Sequence, residues 1–125
     1  MTARNLIGVA LGALIGATLR WLAVALAPVG SPTWALVAVN GAGCLLMGYS
    51  MGTETGRPQD RQLLLTAGLC GALTTMAGFA VDTASLLDAS RWSSTVAYVA
   101  ATGCVSFGGF EIGRRAGDIN RTSTR

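Results

Sequence analysis

The sequence predicts an all-α membrane protein of four transmembrane helices, the third of them broken. Three observations predict it. Of 125 residues, 51% are hydrophobic, 12% are charged and 17 are glycine, too little polar surface for a soluble domain. Four long apolar segments, 5 to 27, 33 to 51, 63 to 87 and about 93 to 112, each come near the roughly 20 residues that cross a bilayer. Within the third, the stretch GLCGALTTMAGFAVD at 68 to 82 interrupts an apolar run with glycines and paired threonines. Residues 1 to 125 are therefore expected to form one transmembrane domain, with no separate soluble catalytic domain.

The first segment begins like a signal peptide, with Arg4 before an apolar run and Ala25-Leu26-Ala27 near its end. Its length, the internal Arg20 and three further apolar segments argue for a retained helix. Gly8, Gly12, Gly16 and Arg20 recur every four residues. Such small-residue stripes permit close backbone approach, which drives helix association in lipid. Arg20 is costly at membrane depth unless it snorkels or finds partners, so it reads either as the anchor of a pore mouth or as a snorkelling cation.

The second segment contains TWALVAVNGAGCLLMG. Asn40 is expensive in lipid unless hydrogen-bonded, and its NH₂ can donate to an anion. An interhelical tie is the alternative.

In the third segment, a break at mid-membrane depth exposes backbone carbonyls that lipid cannot satisfy. Gly71 and Thr74, with Thr75 beside them, can turn carbonyl oxygens toward a hard cation such as sodium, while half-helix ends face a cavity. A glycine-rich kink without an ion is the competing reading. Met76 and Phe79 lie on nearly one face, and the positive edge of an aromatic ring can touch a small anion in a dry pore. Asp82, nearer the outer end, reads as a vestibule or structural group.

In the fourth segment, Tyr98, Thr102 and Ser106 recur every four residues. Hydroxyls at that spacing can pass an anion from donor to donor, although Ser and Thr also bond their own helix carbonyls and Tyr98 can serve as an interfacial aromatic.

Four crossings place both termini and the loop between the second and third helices on one side. Arg4, Arg57, Arg61, Arg114, Arg115, Arg121 and Arg125 fall there, against Arg91 and Arg20 on the other, so both termini are expected in the cytoplasm. Trp21, Trp34 and Trp92 fall near outer segment ends, as an aromatic belt requires. After Glu111 the basic tail is expected to fray beside the inner membrane surface. This distribution explains the net charge of +3 better than nucleic-acid binding does. Cys44, Cys70 and Cys104 sit in separate apolar segments, and the chain has no histidine, so neither a disulfide nor zinc is expected.

These features together resemble the small fluoride channel family, commonly called Fluc or CrcB. The resemblance covers nearly the whole length: GATLRW, VNGAGCLLMG, GLCGALTT followed by Phe79 and Asp82, and the Tyr98/Thr102/Ser106 face. It implies an antiparallel dimer of dual-topology type, two narrow fluoride pores, passive fluoride export and no enzymatic activity. It also implies a structural Na+ held by main-chain carbonyls, which carry over to Gly71 and Thr74. Its helix 2 asparagine corresponds to Asn40, its helix 1 arginine to Arg20, and its polar helix 4 positions to Thr102 and Ser106.

Two departures matter. Where the family usually reads TTFSTF, this chain reads Thr74-Thr75-Met76-Ala77-Gly78-Phe79, and Leu36 stands where a threonine is frequent. An antiparallel homodimer needs weak arginine bias, whereas this chain is biased seven to two. The expected partner is therefore a homologous antiparallel subunit in a heterodimer, alongside fluoride and membrane lipid. The competing classes are a small multidrug exporter, which would be expected to use a carboxylate that the first segment lacks, and a noncatalytic membrane assembly subunit.

Overall fold

The structure, a computed structural model, describes residues 3 to 28, 32 to 53 and 64 to 123. Four helical spans are long and apolar enough to cross a membrane: Asn5–Ala25, Thr33–Gly52, Thr66–Asp88 and Trp92–Thr122. The chain is thus a multi-pass membrane protein with a bent third span. Arg57, Arg61 and Arg125, three of the arginines behind the orientation argument, lie outside the described residues, as does most of the loop that joins the second and third spans.

Helix α1 (Ala3–Ala25) tightens at its end, where the Ala27 N–H reaches the Val24 carbonyl at 3.3 Å, and Pro28 cannot continue it. Helix α2 (Pro32–Gly52) starts with proline at its first position, where the missing N–H costs nothing. The third span comprises a π-helical segment (Leu64–Cys70), one turn α3 (Gly71–Leu73) and, after a break, α4 (Met76–Asp88). At its C-terminal end Ser90 takes a left-handed φ of 56°, with the Arg91 N–H on the Leu86 carbonyl at 3.0 Å and the Ser90 N–H on the Leu87 carbonyl at 2.8 Å. This closure ordinarily uses glycine.

Two seams of close backbone contact hold the spans together. A side chain at Gly12 or Gly16 would collide with the backbone of the π-helical segment, and one at Gly68 with that of α1. Helix α5 (Trp92–Ser123) packs along α2, where Gly48 and Gly52 meet the backbone around Phe110 and Arg114, and Gly109 and Gly113 meet that around Gly41 and Leu45. Without a hydrophobic gain inside lipid, dispersion between closely apposed backbones supplies the association.

The tail departs from expectation. Instead of fraying after residue 112, α5 continues to Ser123 because the four-residue cadence of glycines persists through Gly113 and Gly117, which lies against Tyr49 and Gly52. Asn120 Nδ2 donates to Tyr49 Oη at 3.2 Å. Glu111 accepts from Arg114 at 3.1 Å and Arg115 at 2.9 Å along the same helix. Thirty-two residues of helix span about 48 Å, well beyond a hydrocarbon core of about 30 Å, so the last turns stand in the interfacial region or outside it.

Candidate functional site

The break in the third span occupies two residues. Thr74 (φ −77°, ψ 143°) and Thr75 (φ −140°, ψ 116°) are both extended, so the α-helical ladder stops and restarts. Thr74 closes the N-terminal half, with its N–H and its hydroxyl both donating to the Cys70 carbonyl at 3.0 Å. Thr75 opens the C-terminal half as its N-cap, and its Oγ1 accepts the Gly78 N–H at 3.1 Å.

Other helices supply the missing partners. In a continuous helix the Thr75 N–H would bond the Gly71 carbonyl; here it donates to Asn40 Oδ1 of α2 at 3.0 Å. Arg20 Nη1 of α1 donates to the Ala72 carbonyl at 2.8 Å. Arg20 therefore has a protein partner at the break and is tied to the bundle. Both Gly71 and Thr74 lose the N–H that a continuous helix would bring them, since that of Thr75 goes to Asn40 and that of Gly78 to the Thr75 hydroxyl. Their carbonyl oxygens are left available.

Beside the break lies a cavity of about 440 Å³ that brings together Asn40, Thr74, Thr75, Met76, Phe79, Thr102 and Ser106. Its donors differ in readiness. Asn40 is buried, and because its oxygen faces an N–H, the amide orientation is fixed and the NH₂ is left to donate. The Thr75 hydroxyl accepts from Gly78 and keeps its own proton to give. Thr102 instead donates to the Tyr98 carbonyl at 2.8 Å, the local back-bonding that its helical position allows.

Tyr98 and Asp82 stand outside this cavity. Tyr98 is 1% exposed, its ring stacks on Phe79 with centroids 5.5 Å apart, and its hydroxyl donates to Asp82 Oδ2 at 3.4 Å. Tyr98 also lines a second cavity of about 370 Å³ at the α4–α5 turn, together with Thr33, Trp34, Arg91, Ser93 and Ser94. The stacked pair thus stands between two cavities. Gly71 is exposed in the turn that precedes the break.

A profile described as CrcB-like protein, Camphor Resistance (CrcB), matches residues 7 to 114. This chain belongs to the CrcB-like family. The match contains every residue of the break and of both cavities. Among curated relatives, a protein of Neisseria meningitidis serogroup C named fluoride-specific ion channel FluC is 38% identical over 96 residues, which are 76% of this chain and 79% of the relative. Fluoride-specific ion channel FluC 2 of Symbiobacterium thermophilum is 39% identical over 116 residues, covering 86% and 93%. A FluC of Stutzerimonas stutzeri is 40% identical over 105 residues, covering 77% and 82%.

Sequence reasoning about this CrcB-like chain placed Cys44 on the face of Asn40 but did not single out Val99, Gly103 or Phe107, which also line the cavity beside the break. A signal was present in the spacing: Val99, Thr102, Gly103, Ser106 and Phe107 follow the i, i+3, i+4, i+7, i+8 pattern of one helix face. A search for hydroxyls at intervals of four finds Thr102 and Ser106 of this face and takes Tyr98, which lies off it, in place of the apolar members.

Proposed function

We propose that this chain is a subunit of a fluoride-specific ion channel, through which fluoride leaves the cytoplasm passively, and that it is not an enzyme. The observation that carries the proposal is the meeting of hydrogen-bond donors from three spans, Asn40, Thr75 and Ser106, beside Phe79 in one cavity of a CrcB-like chain whose relatives bear that name. Fluoride is small and holds its water tightly, so a pore must replace that water with donors at close range. Asn40 and the two hydroxyls provide strong donors, and the edge of Phe79 provides a weaker electropositive contact that does not trap the ion. Tyr98, stacked on Phe79, supports it and connects with the second cavity.

A structural Na+ fits the break. The Gly71 and Thr74 carbonyls would hold it, as hard oxygen donors whose helical N–H partners are engaged elsewhere. The ion would contribute charge that ties the broken span to a neighbour.

The dimer is read as antiparallel. Met76 is 76% exposed and Gly71 is exposed beside the same break, which supports burial there by a second subunit. Both termini are assigned to the cytoplasm, and the seven-to-two arginine bias favours a heterodimer with a homologous subunit of opposite orientation. Fluoride efflux from liposomes carrying this subunit alone, an opposite-orientation homologue alone, or both tests the assignment. Flux from the pair only is the expected result. Strong flux from this subunit alone would overturn the heterodimer, and no fluoride flux from any combination would overturn the channel.

A further inference from the structure

We infer that Phe107 is a specificity-determining residue of the anion path, a second aromatic wall of the cavity that contains Phe79. The inference rests on the fluoride-channel reading. Phe107 lines that cavity from α5, whereas Phe79 lines it from α4, so the two rings belong to separate walls.

Three observations carry it. Phe107 is 82% exposed, the highest value among the exposed large hydrophobic side chains, and it borders the same space as the polar groups Asn40, Thr75 and Ser106. Side chains on a helix lean toward its N-terminus, which carries the Phe107 ring over the turn containing Gly103. A side-chain carbon at Gly103 would meet nothing within 4 Å, so that turn leaves the ring open room.

The chemistry follows from the ring. Its edge carries partial positive charge, which offers an anion an electropositive contact. Ser106 lines the same cavity, so its hydroxyl and the Phe107 ring border one space. Met76, 76% exposed at the start of α4, borders the same space with a thioether and has no such edge. Phe107 therefore supplies an aromatic contact that Met76 does not.

The test compares Phe107→Leu, which keeps apolar bulk but loses the edge, with Phe107→Tyr, which keeps it. Each is reconstituted in the subunit combination that conducts, with dimer content checked by size-exclusion chromatography. Fluoride efflux and fluoride-over-chloride selectivity are then measured. The expected result is a loss of about two- to tenfold in efflux or selectivity for Phe107→Leu and near-parental behaviour for Phe107→Tyr, the effect of one aromatic contact. Unchanged efflux and selectivity in Phe107→Leu would overturn the assignment, and so would equal losses in both variants. An unsubstituted channel that carried no fluoride would instead overturn the channel reading itself.

Discussion

Asn40 Oδ1 accepts the Thr75 N–H at 3.0 Å, so a side chain of α2 takes the place that the Gly71 carbonyl would hold in an unbroken helix. One contact serves two ends. It satisfies the first backbone donor after the break, and it orients the amide so that its NH₂ group is left for the cavity. The polar residue assigned to the proposed anion path is therefore also part of the break's own support.

These two roles separate by substitution. Asn40→Asp keeps an oxygen for the Thr75 N–H but replaces the NH₂ donor with negative charge. Fluoride efflux should fall by at least about tenfold while the dimer persists, since a like charge near the path disfavours the anion. Asn40→Ala should also destabilise the fold by about 1–3 kcal/mol by leaving a buried donor unpaired. Efflux and detergent unfolding, measured on the same preparations, check both; undiminished flux in Asn40→Asp would remove Asn40 from the path.

Arg20 gives a contrasting case. Its guanidinium donates to the Ala72 carbonyl at 2.8 Å and lines neither the cavity beside the break nor the one at Arg91. Arg20→Met retains the aliphatic stem and removes the donor. Stability should drop by about 1.5–3 kcal/mol, the range for a hydrogen bond to a charged group, as read from unfolding in detergent. Where the protein still assembles, fluoride selectivity should be unaltered, because the residue supports the break from behind. A selective loss with unchanged stability would place Arg20 in the ion path instead.

Much of this arrangement was legible in the sequence because membrane physics leaves few options. Lipid demands long apolar spans, and an interrupted one with paired threonines marks a break, which the structure puts at Thr74 and Thr75. Asn40, Phe79, Met76, Thr102 and Ser106 do come together in one cavity, while Tyr98 lies behind Phe79. What was not legible depends on pairings between distant segments. Asn40 to Thr75 and Arg20 to Ala72 join residues 35 and 52 positions apart, and no local pattern encodes either. The helical tail was missed because polarity after Glu111 looked like an end, although the glycine cadence that packs α5 on α2 runs on to Gly117.

Ser90 offers a prediction independent of ion conduction. It is the only non-glycine residue with positive φ among those described, at 56°, and it closes α4 before the turn into α5. Ser90→Gly removes the steric penalty of that conformation but adds freedom to the unfolded chain. The net effect should be a stabilisation of about 0.5–1 kcal/mol, seen as a higher midpoint of thermal unfolding in detergent. An unchanged or lowered midpoint would mean that the serine contributes more than its backbone strain costs.

Sodium removal tests the proposed role of the break. The Gly71 and Thr74 carbonyls keep no helical N–H partner, and a pair of such oxygens in lipid needs a donor or a cation. Main-chain oxygens cannot be deleted by mutation, so the useful variable is the ion. Exchanging sodium for N-methylglucamine during purification should weaken the dimer and lower fluoride efflux together, and restoring sodium should recover both. Potassium should restore them less well if cavity size selects the ion. Arg20→Met should sharpen the sodium dependence, because the Ala72 carbonyl then adds a third unpaired oxygen to the same turn. Dimer content and efflux indifferent to sodium in both proteins would show that the carbonyls are satisfied by the partner subunit or by water, and the break would then be a structural kink without an ion.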